Sequence, residues 1–147
     1  MDRGHLLLDR LRSSTHHESL GSLLAPGLVD PHLQAMSAAT LGPQDVAVGI
    51  SHSGSTKDVV DSVSRAKAAG ATVICITHHA RSPITRVADI KLLTASSESP
   101  LGSGAIRSKI AQLHVLDVLF TGVVMRMRER ALEYTEKTAE AVLDKLY

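Results

Sequence analysis

Two short apolar runs on either side of an amphipathic segment constrain the fold of this chain more than any other feature. Residues 46–50 and 71–77 have the length and composition of strands that are buried on both faces. Between them, residues 57–69 place apolar side chains at helical spacing, and Gly70 ends that helix. A strand, a helix and a second strand of this size form a parallel pair with a right-handed crossover. The sequence therefore predicts an α/β fold, a three-layer sandwich with a mainly parallel sheet.

The segments after this unit extend the same pattern. Residues 89–94 are expected to form a third strand, and Lys91 within it favours a position near an edge of the sheet. A polar loop at 95–103 precedes a long helix with apolar residues on one broad face. Those residues are Ile106, Ile110, Leu113, Leu116, Leu119, Phe120, Val123 and Val124. The tail through Tyr147 is expected to form a further helix.

The segments before the unit are patterned less clearly. Asp30 followed by Pro31 predicts the start of a helix. The side chains expected to face inward from it are Leu33, Met36, Ala39 and Leu41. Residues 1–29 lack a long periodicity, and the interpretation leaves open a helix over 6–11 and a strand ending at 28–29. We expect one domain over 30–147, preceded by this poorly defined N-terminal segment.

Composition narrows the classes of function. Aromatic residues make up 2% of the 147 residues and the net charge is +1. Such a chain has neither a platform on which bases can stack nor a strong basic field. We therefore expect no direct DNA binding by this chain.

Cysteine content and hydropathy indicate a reducing compartment. Cys75 is the only cysteine and lies within an apolar run, so a buried small side chain is expected and a disulfide is excluded. Apolar residues near the N-terminus are too few for the core of a signal peptide. The most apolar helix, near 113–127, carries Asp117 and Arg126 and is expected to be too short to span a bilayer. These features predict a cytoplasmic protein that does not contact a membrane.

The segment Ser51-His52-Ser53-Gly54-Ser55-Thr56 carries the strongest chemical signal. It follows a buried strand and opens a helix, which is where an open parallel sheet binds ligands. Its four hydroxyls can donate to phosphate oxygens, Gly54 allows close backbone approach, and the helix start adds unpaired N–H groups. The pattern predicts binding of a phosphate group. No nucleotide-binding glycine motif accompanies it.

Helix capping is the alternative explanation of these hydroxyls. Ser55 with Asp58 fits the Ser-x-x-Asp pattern of a capping box. A cap accounts for one or two hydroxyls but not for four within six residues beside a glycine. The motif therefore favours phosphate binding over a cap alone.

Several motifs in this order resemble the sugar isomerase (SIS) domain. They are the run 48–56, the second strand 70–77, Ser82-Pro83 and Ala88-Asp89. Downstream, residues 107–113 and 117–120 are similar to the last core helix of SIS domains in RpiR-type transcriptional regulators. The resemblance covers about residues 30 to 145.

This resemblance implies a five-stranded parallel sheet, dimerisation and a phosphosugar ligand. It assigns the phosphate to Ser51, Ser53 and Thr56, and it places Ser97 and Glu98 near the sugar. A dimer with a second copy or with a full-length relative is the expected partner, and no cofactor is implied.

Two departures from the family pattern limit what can be transferred. RpiR-type regulators carry an N-terminal helix-turn-helix domain, for which this sequence has no room. SIS domains also begin with a strand and a glycine- and serine-rich loop, which residues 1–29 do not show. The chain is therefore expected either to lack the first strand of the sheet, as a truncated product would, or to carry a diverged one.

The remaining candidates have ordinary structural explanations. His78 and His79 follow the second strand, where a solvated turn is favoured over ligand contact. His114 is expected to be a partly buried packing residue, whereas for Arg107 and Lys109 phosphate pairing and solvent exposure are equally compatible. The eight histidines show no spacing typical of a metal site, so no metal is expected.

Three hypotheses for function remain. The favoured one is an RpiR-type sensor domain that binds a phosphosugar and signals through a dimer. The second is an aldose-ketose isomerase, in which Glu98 would move a proton and a histidine would help open the sugar ring. The third is a remnant that only dimerises with full-length relatives.

Overall fold

The computed structural model describes residues 5–10, 27–28, 30–95 and 104–126. In chain order the elements are β1 (His5–Arg10), β2 (Gly27–Leu28), α1 (Pro31–Ala39), β3 (Asp45–Ile50), α2 (Lys57–Ala68), β4 (Thr72–Thr77), α3 (Pro83–Val87), β5 (Ile90–Leu93) and α4 (Gly104–Arg126). Two compact units divide the chain, residues 1–112 and 113–147, with the boundary inside α4. The helix predicted for the tail lies outside the described residues.

The sheet has five strands in the order β2-β1-β3-β4-β5. Strands β3, β4 and β5 are mutually parallel, with Ile50 opposite Ile76 and Ile74 opposite Ile90. This confirms the predicted strand-helix-strand unit. Strand β5 lies at the edge of the sheet, as the charge of Lys91 indicated.

Strand β1 departs from two expectations. A helix over residues 6–11 was one interpretation, but residues 5–10 pair with the whole length of β3, His5 opposite Ile50 and Arg10 opposite Asp45. The pairing is antiparallel, so the sheet is not the fully parallel one that the family resemblance implies. Helix α1 follows β2 rather than β1, so β1 is not part of a strand-helix-strand crossover and the parallel rule does not apply to it. The edge of β3 supplies the backbone partners that make this segment a strand.

Strand β2 agrees with the other interpretation of the N-terminal segment. A strand ending near residues 28–29 was expected, and Gly27–Leu28 pairs antiparallel with β1. The five positions of the sheet are therefore filled, although the first strand does not have the parallel direction typical of the family.

The core lies between the central strands and helices α1, α2 and α3. Alternation along β3 and β4 points Ala47, Val73 and Cys75 toward these helices. The other buried members of this cluster are Ala38, Leu41, Val59, Val63, Ala66, Ala71 and Ile84. On the opposite side of the pleat Val48, Ile50 and Ile76 are also buried. Both faces of the central strands are thus covered, as the continuous apolar runs predicted.

Helix α1 begins where the sequence predicts but buries a different face. The Asp30 carboxylate accepts a hydrogen bond from the Leu33 backbone N–H at 3.0 Å, which caps the helix. Leu33 and Met36 are exposed, however, and Gln34 and Ala38 are buried in their place. The expectation that Leu33, Met36 and Ala39 face inward was wrong because the polar Gln34 lies on the buried stripe. Of that set, Leu41 alone is buried.

Asp89 ties the start of β5 to β4 and α2. Its carboxylate accepts hydrogen bonds from the Val73 backbone N–H at 2.9 Å and from the Lys67 ammonium group. Its own N–H donates to the Val73 carbonyl at 2.8 Å. The hydrogen bond from Lys67, followed by that from Val73, lowers the pKa of Asp89 below its ordinary value. The Ala88-Asp89 motif thus positions the edge strand.

Helix α4 presents apolar side chains to solvent. Ile106, Ile110 and Leu113 are each exposed by more than 60%, whereas Ser108 and Gln112 are buried. By length and composition, Ile106–Arg126 is long and apolar enough to cross a membrane, so the expectation that this helix is too short was wrong. Core helices of soluble proteins meet the same criterion, and the observation is weak evidence for a membrane.

Gly49 and Gly122 offer a matched test of the packing. A Cβ at Gly49 would lie 2.7 Å from Val63 Cγ1 and 3.0 Å from Ile84 Cδ1, whereas one at Gly122 in α4 meets nothing within 4 Å. We expect Gly49→Ala to lower the free energy of unfolding by about 2 kcal/mol through overpacking. Gly122→Ala is expected to raise it by about 0.5 kcal/mol because alanine favours a helix. Urea denaturation of both variants measures this, and equal stabilities would contradict the described packing.

Candidate functional site

The loop of residues 51–56 connects β3 to α2 and is held against the end of β4. The Ser51 N–H donates to the Ile76 carbonyl at 3.1 Å, which continues the parallel ladder by one residue. The His52 carbonyl then accepts two hydrogen bonds, from the His78 N–H at 3.0 Å and from Thr77 Oγ1 at 3.1 Å. These contacts fix the loop at the carboxyl ends of two adjacent parallel strands.

Three hydroxyls of this loop lie together, as the sequence predicted. Ser51 Oγ is 2.8 Å from Thr56 Oγ1 and 3.5 Å from Ser53 Oγ. Ser51 is buried, whereas Ser53 and Thr56 are half-buried. The Gly54 N–H donates to Ser51 Oγ at 3.0 Å, which closes the turn around the cluster. A small anion that reached this cluster would meet several hydroxyl donors at once.

Ser55 has a different role from the other three hydroxyl residues. Its N–H donates to Ser53 Oγ at 3.2 Å, and its hydroxyl donates to the Ser53 carbonyl at 3.4 Å. Its side chain is exposed and bonds within the loop. Ser55 therefore shapes the turn around Ser53 in this structure.

The beginning of α2 argues against the capping explanation. Thr56, rather than Ser55, occupies the N-cap position, and its side chain makes no capping hydrogen bond. The Thr56 hydroxyl instead meets Ser51 Oγ. The first turn of this 12-residue helix thus begins beside the hydroxyl cluster, and its dipole favours a negative charge there.

Gly54 allows a close contact between the loop and α3. Its φ is +64°, and a Cβ added there would lie 2.2 Å from Ser82 Oγ and 2.8 Å from Thr77 Oγ1. The Gly54 carbonyl accepts from the Ile84 N–H at 3.0 Å. Ser82 is buried and forms a capping box with Thr85 at the start of α3. The Ser82-Pro83 motif, quoted above for the family resemblance, therefore supports the loop from behind.

Three histidine rings cluster next to the loop. The rings of His52 and His78 are stacked, with centroids 5.0 Å apart and an angle of 7° between planes. The His79 ring meets them edge-on, 5.0 Å from His78 and 6.1 Å from His52. His78 is half-buried and its Nδ1 lies 2.7 Å from the Thr94 carbonyl, so the expected solvated turn was wrong for His78. His79 is exposed as expected.

The long-range contacts of this cluster explain why the sequence did not reveal it. The hydroxyl of Thr77, at the end of β4, donates to the His52 carbonyl, and the carbonyl of Thr94, the residue after β5, orients the His78 ring. A histidine pair after a strand was the available signal. Thr94 lies beyond it in the chain, and nothing in the local pattern links the two.

The structure describes only some of the other residues that the sequence analysis singled out. Ser97 and Glu98 fall outside the described residues. Arg107 and Lys109 are exposed in the first turns of α4. His114 is exposed, so the expectation of a partly buried packing residue was wrong. Cys75 is buried in the core, and burial raises the pKa of its thiol.

Among the residues that the structure describes, no group of three or more histidine, cysteine, aspartate or glutamate side chains has the geometry to hold a metal ion. The three clustered rings are included in that finding.

Comparison with known proteins identifies the domain that these features build. The family model described as the SIS domain matches residues 14–122. The uncharacterised HTH-type transcriptional regulator TTE0211 of Caldanaerobacter subterraneus is 44% identical over 113 residues, which are 77% of this chain and 40% of that protein. The HTH-type transcriptional regulator RpiR of Escherichia coli K12 is 39% identical over 113 residues, 77% of this chain and 38% of that protein. The chain thus spans about two fifths of the length of these relatives.

A solved structure agrees with the sequence matches. The NanR protein of Vibrio vulnificus, complexed with ManNAc-6P, is 31% identical and superposes with a TM-score of 0.71. The alignment covers 81% of this chain and 45% of that one. The α/β sandwich predicted from the sequence is thereby confirmed.

Gly54→Ala tests the geometry of the loop. We expect a loss of about 3 kcal/mol in the free energy of unfolding, because a left-handed φ and a clash with Ser82 act together. Gly42→Ala is the matched control, since a Cβ there has only Asp45 Oδ2 nearby, at 4.0 Å. Thermal and urea denaturation measure both. If the two substitutions cost the same, the described contact between Gly54 and Ser82 is wrong.

Proposed function

Because the chain belongs to the SIS domain family, we propose that it is the domain with which an RpiR-type transcriptional regulator binds and senses a sugar phosphate. The observation that carries this proposal is the meeting of three hydroxyls, from Ser51, Ser53 and Thr56, at the start of α2. The relatives supply the regulatory context, since TTE0211 and RpiR are HTH-type regulators. The solved structure of NanR, which has the same fold, is that of the protein complexed with ManNAc-6P.

The phosphate is held by the loop in this proposal. The hydroxyls of Ser51, Ser53 and Thr56 rotate to donate to its oxygens, and Gly54 keeps the backbone close. The N-terminal dipole of α2 stabilises the negative charge. Because Ser51 Oγ and Thr56 Oγ1 already lie 2.8 Å apart, these side chains need little rearrangement when the anion binds. His52, which is buried, and Ser55, which is exposed, complete the loop.

Recognition of the sugar requires residues outside the loop. The family resemblance assigns this role to Ser97 and Glu98, and we retain both as proposed ligand contacts. A carboxylate accepts hydrogen bonds from sugar hydroxyls, so Glu98 would select the orientation of the sugar rather than hold its phosphate.

In this proposal, DNA is recognised by a separate module and not by the SIS domain. A chain with 2% aromatic residues and a net charge of +1 is suited to ligand sensing, and a helix-turn-helix module would contact the operator. Signalling through a homodimer, or a dimer with a full-length relative, is the proposed mode of action. The exposed apolar side chains of α4, such as Ile110 and Phe120, support pairing with another protein surface. A cytoplasmic location fits a regulator of this type.

An aldose-ketose isomerase is the second candidate. The observation in its favour is the cluster of His52, His78 and His79, because an imidazole beside the bound sugar can help to open its ring. Glu98 would then move the proton between adjacent carbons. The regulatory relatives favour the sensor over this enzyme.

Substitution of Ser53 tests phosphate binding. We expect Ser53→Ala to weaken binding of inorganic phosphate and of ManNAc-6P at least tenfold, because a hydrogen bond to a charged group is lost. Ser64→Ala is the matched control, since Ser64 lies on α2 and its hydroxyl donates to the Val60 carbonyl within the helix at 2.7 Å. Isothermal titration calorimetry measures both. Unchanged affinity in Ser53→Ala, with the fold intact by circular dichroism, would refute the assignment of the loop.

An isomerase assay separates the two candidates. For a sensor we expect no interconversion of glucose 6-phosphate and fructose 6-phosphate by the purified chain, measured by NMR over hours. Turnover that disappears in Glu98→Gln but persists in Glu136→Gln, a control in the tail, would establish the enzyme instead.

A further inference from the structure

The proposed phosphate contacts come from the loop of residues 51–56 and do not require the histidine rings, which lie next to that loop. His52 belongs to the loop, and His78 and His79 follow the neighbouring strand β4. Their three rings are in mutual contact, with centroids separated by 5.0 to 6.1 Å. The whole sequence contains one phenylalanine, two tyrosines and no tryptophan, so few other flat side chains are available to contact a ligand.

Hydrogen bonds at the ends of three adjacent strands hold the cluster in place. The His78 N–H donates to the His52 carbonyl at 3.0 Å, which fixes β4 to the loop after β3. The Thr94 N–H donates to the Thr77 carbonyl at 2.9 Å, which brings in the end of β5. His78 Nδ1 lies 2.7 Å from the Thr94 carbonyl. A rigid arrangement of this kind preserves its geometry for binding at low entropic cost.

The hydrogen bond to Thr94 also determines which ring nitrogen of His78 donates and which remains available to a ligand. A carbonyl oxygen can only accept, so Nδ1 carries the proton and donates. In the neutral ring Nε2 is consequently an acceptor, and in the charged ring it is a donor. Sugar hydroxyls both donate and accept, so they match either state of the ring.

Thr94 supplies an independent indication that the site is completed by a polar group. Its side chain is 5% exposed, and its Oγ1 has no hydrogen-bond partner in the part of the chain that the structure describes. Buried hydroxyls almost always have a partner. The Thr94 hydroxyl belongs to the same residue whose carbonyl orients His78.

We propose that His78 and His79, together with His52 of the loop, form a subsite that binds the hydroxyls of the sugar and determines which sugar phosphate is accepted. The subsite rests on the proposed function, because it needs the phosphate to be anchored by Ser51, Ser53 and Thr56. His79 is exposed and offers its ring to the ligand, whereas His78 is half-buried and orients the cluster. The ligand class is a phosphorylated sugar with free hydroxyls beside its phosphate end.

Comparison of sugar phosphates with inorganic phosphate tests the subsite. Calorimetry is carried out on the full chain with inorganic phosphate, glucose 6-phosphate, fructose 6-phosphate, fructose 1,6-bisphosphate and ManNAc-6P. We expect at least one sugar phosphate to bind more tightly than inorganic phosphate. His79→Ala is expected to weaken the tightest of them about tenfold and to leave inorganic phosphate within twofold, because the lost contact is to the sugar.

Two variants make the result interpretable. His78→Asn removes the ring but keeps a side-chain N–H near the position of Nδ1, and we expect it to behave like His79→Ala. His32→Ala changes an exposed histidine on α1 and is expected to alter neither affinity. Ser53→Ala, by contrast, is expected to weaken phosphate and sugar phosphate alike.

The outcomes distinguish the subsite from the phosphate site. If His79→Ala and His78→Asn bind every probe as the wild type does, or lose inorganic phosphate equally, the subsite is overturned and the loop assignment stands. If fructose 1,6-bisphosphate binds most tightly and His79→Ala removes that preference, the cluster binds a second anion and the hydroxyl assignment is wrong. If the wild type binds none of these probes, the proposed function fails and the subsite fails with it.

Discussion

The parallel pairing of β3 with β4 is the constraint on which the site depends. Because α2 connects these strands by a crossover, both end at the same edge of the sheet, and the segments that follow them must lie side by side. The His52 carbonyl makes this proximity specific, since it accepts from both the backbone of His78 and the side chain of Thr77. The hydroxyl cluster, the start of α2 and the histidine rings all take their positions from that one arrangement.

Small side chains then allow the layers to approach. Gly49 lies where a methyl group would press on Val63, and Gly54 lies where one would press on Ser82. The first of these contacts packs α2 against the sheet, and the second sets the loop against α3. A loop that is supported in this way holds its hydroxyls in place before a ligand arrives, which reduces the entropy lost on binding.

A fold of this kind does not specify its chemistry, because one scaffold can carry both a sensor and an enzyme. The difference lies in the side chains that surround the sugar. In the proposed complex the loop hydroxyls bind the phosphate group, which every sugar phosphate shares. The histidines that follow β4 and the residues Ser97 and Glu98 are the proposed contacts that distinguish one sugar from another.

The sequence by itself determined the central strands, helix α2, the edge position of β5 and the hydroxyl loop, because each is encoded by local periodicity or by a short motif. Tertiary structure decided what depends on distant partners. Residues 5–10 form a strand because β3 offers an open edge, and Gln34 is buried because α1 packs with that face inward. His78 is oriented by the carbonyl of Thr94, the residue that follows β5. Local patterns record the preferences of a segment, whereas these three outcomes follow from backbone groups and surfaces that only the assembled sheet brings together.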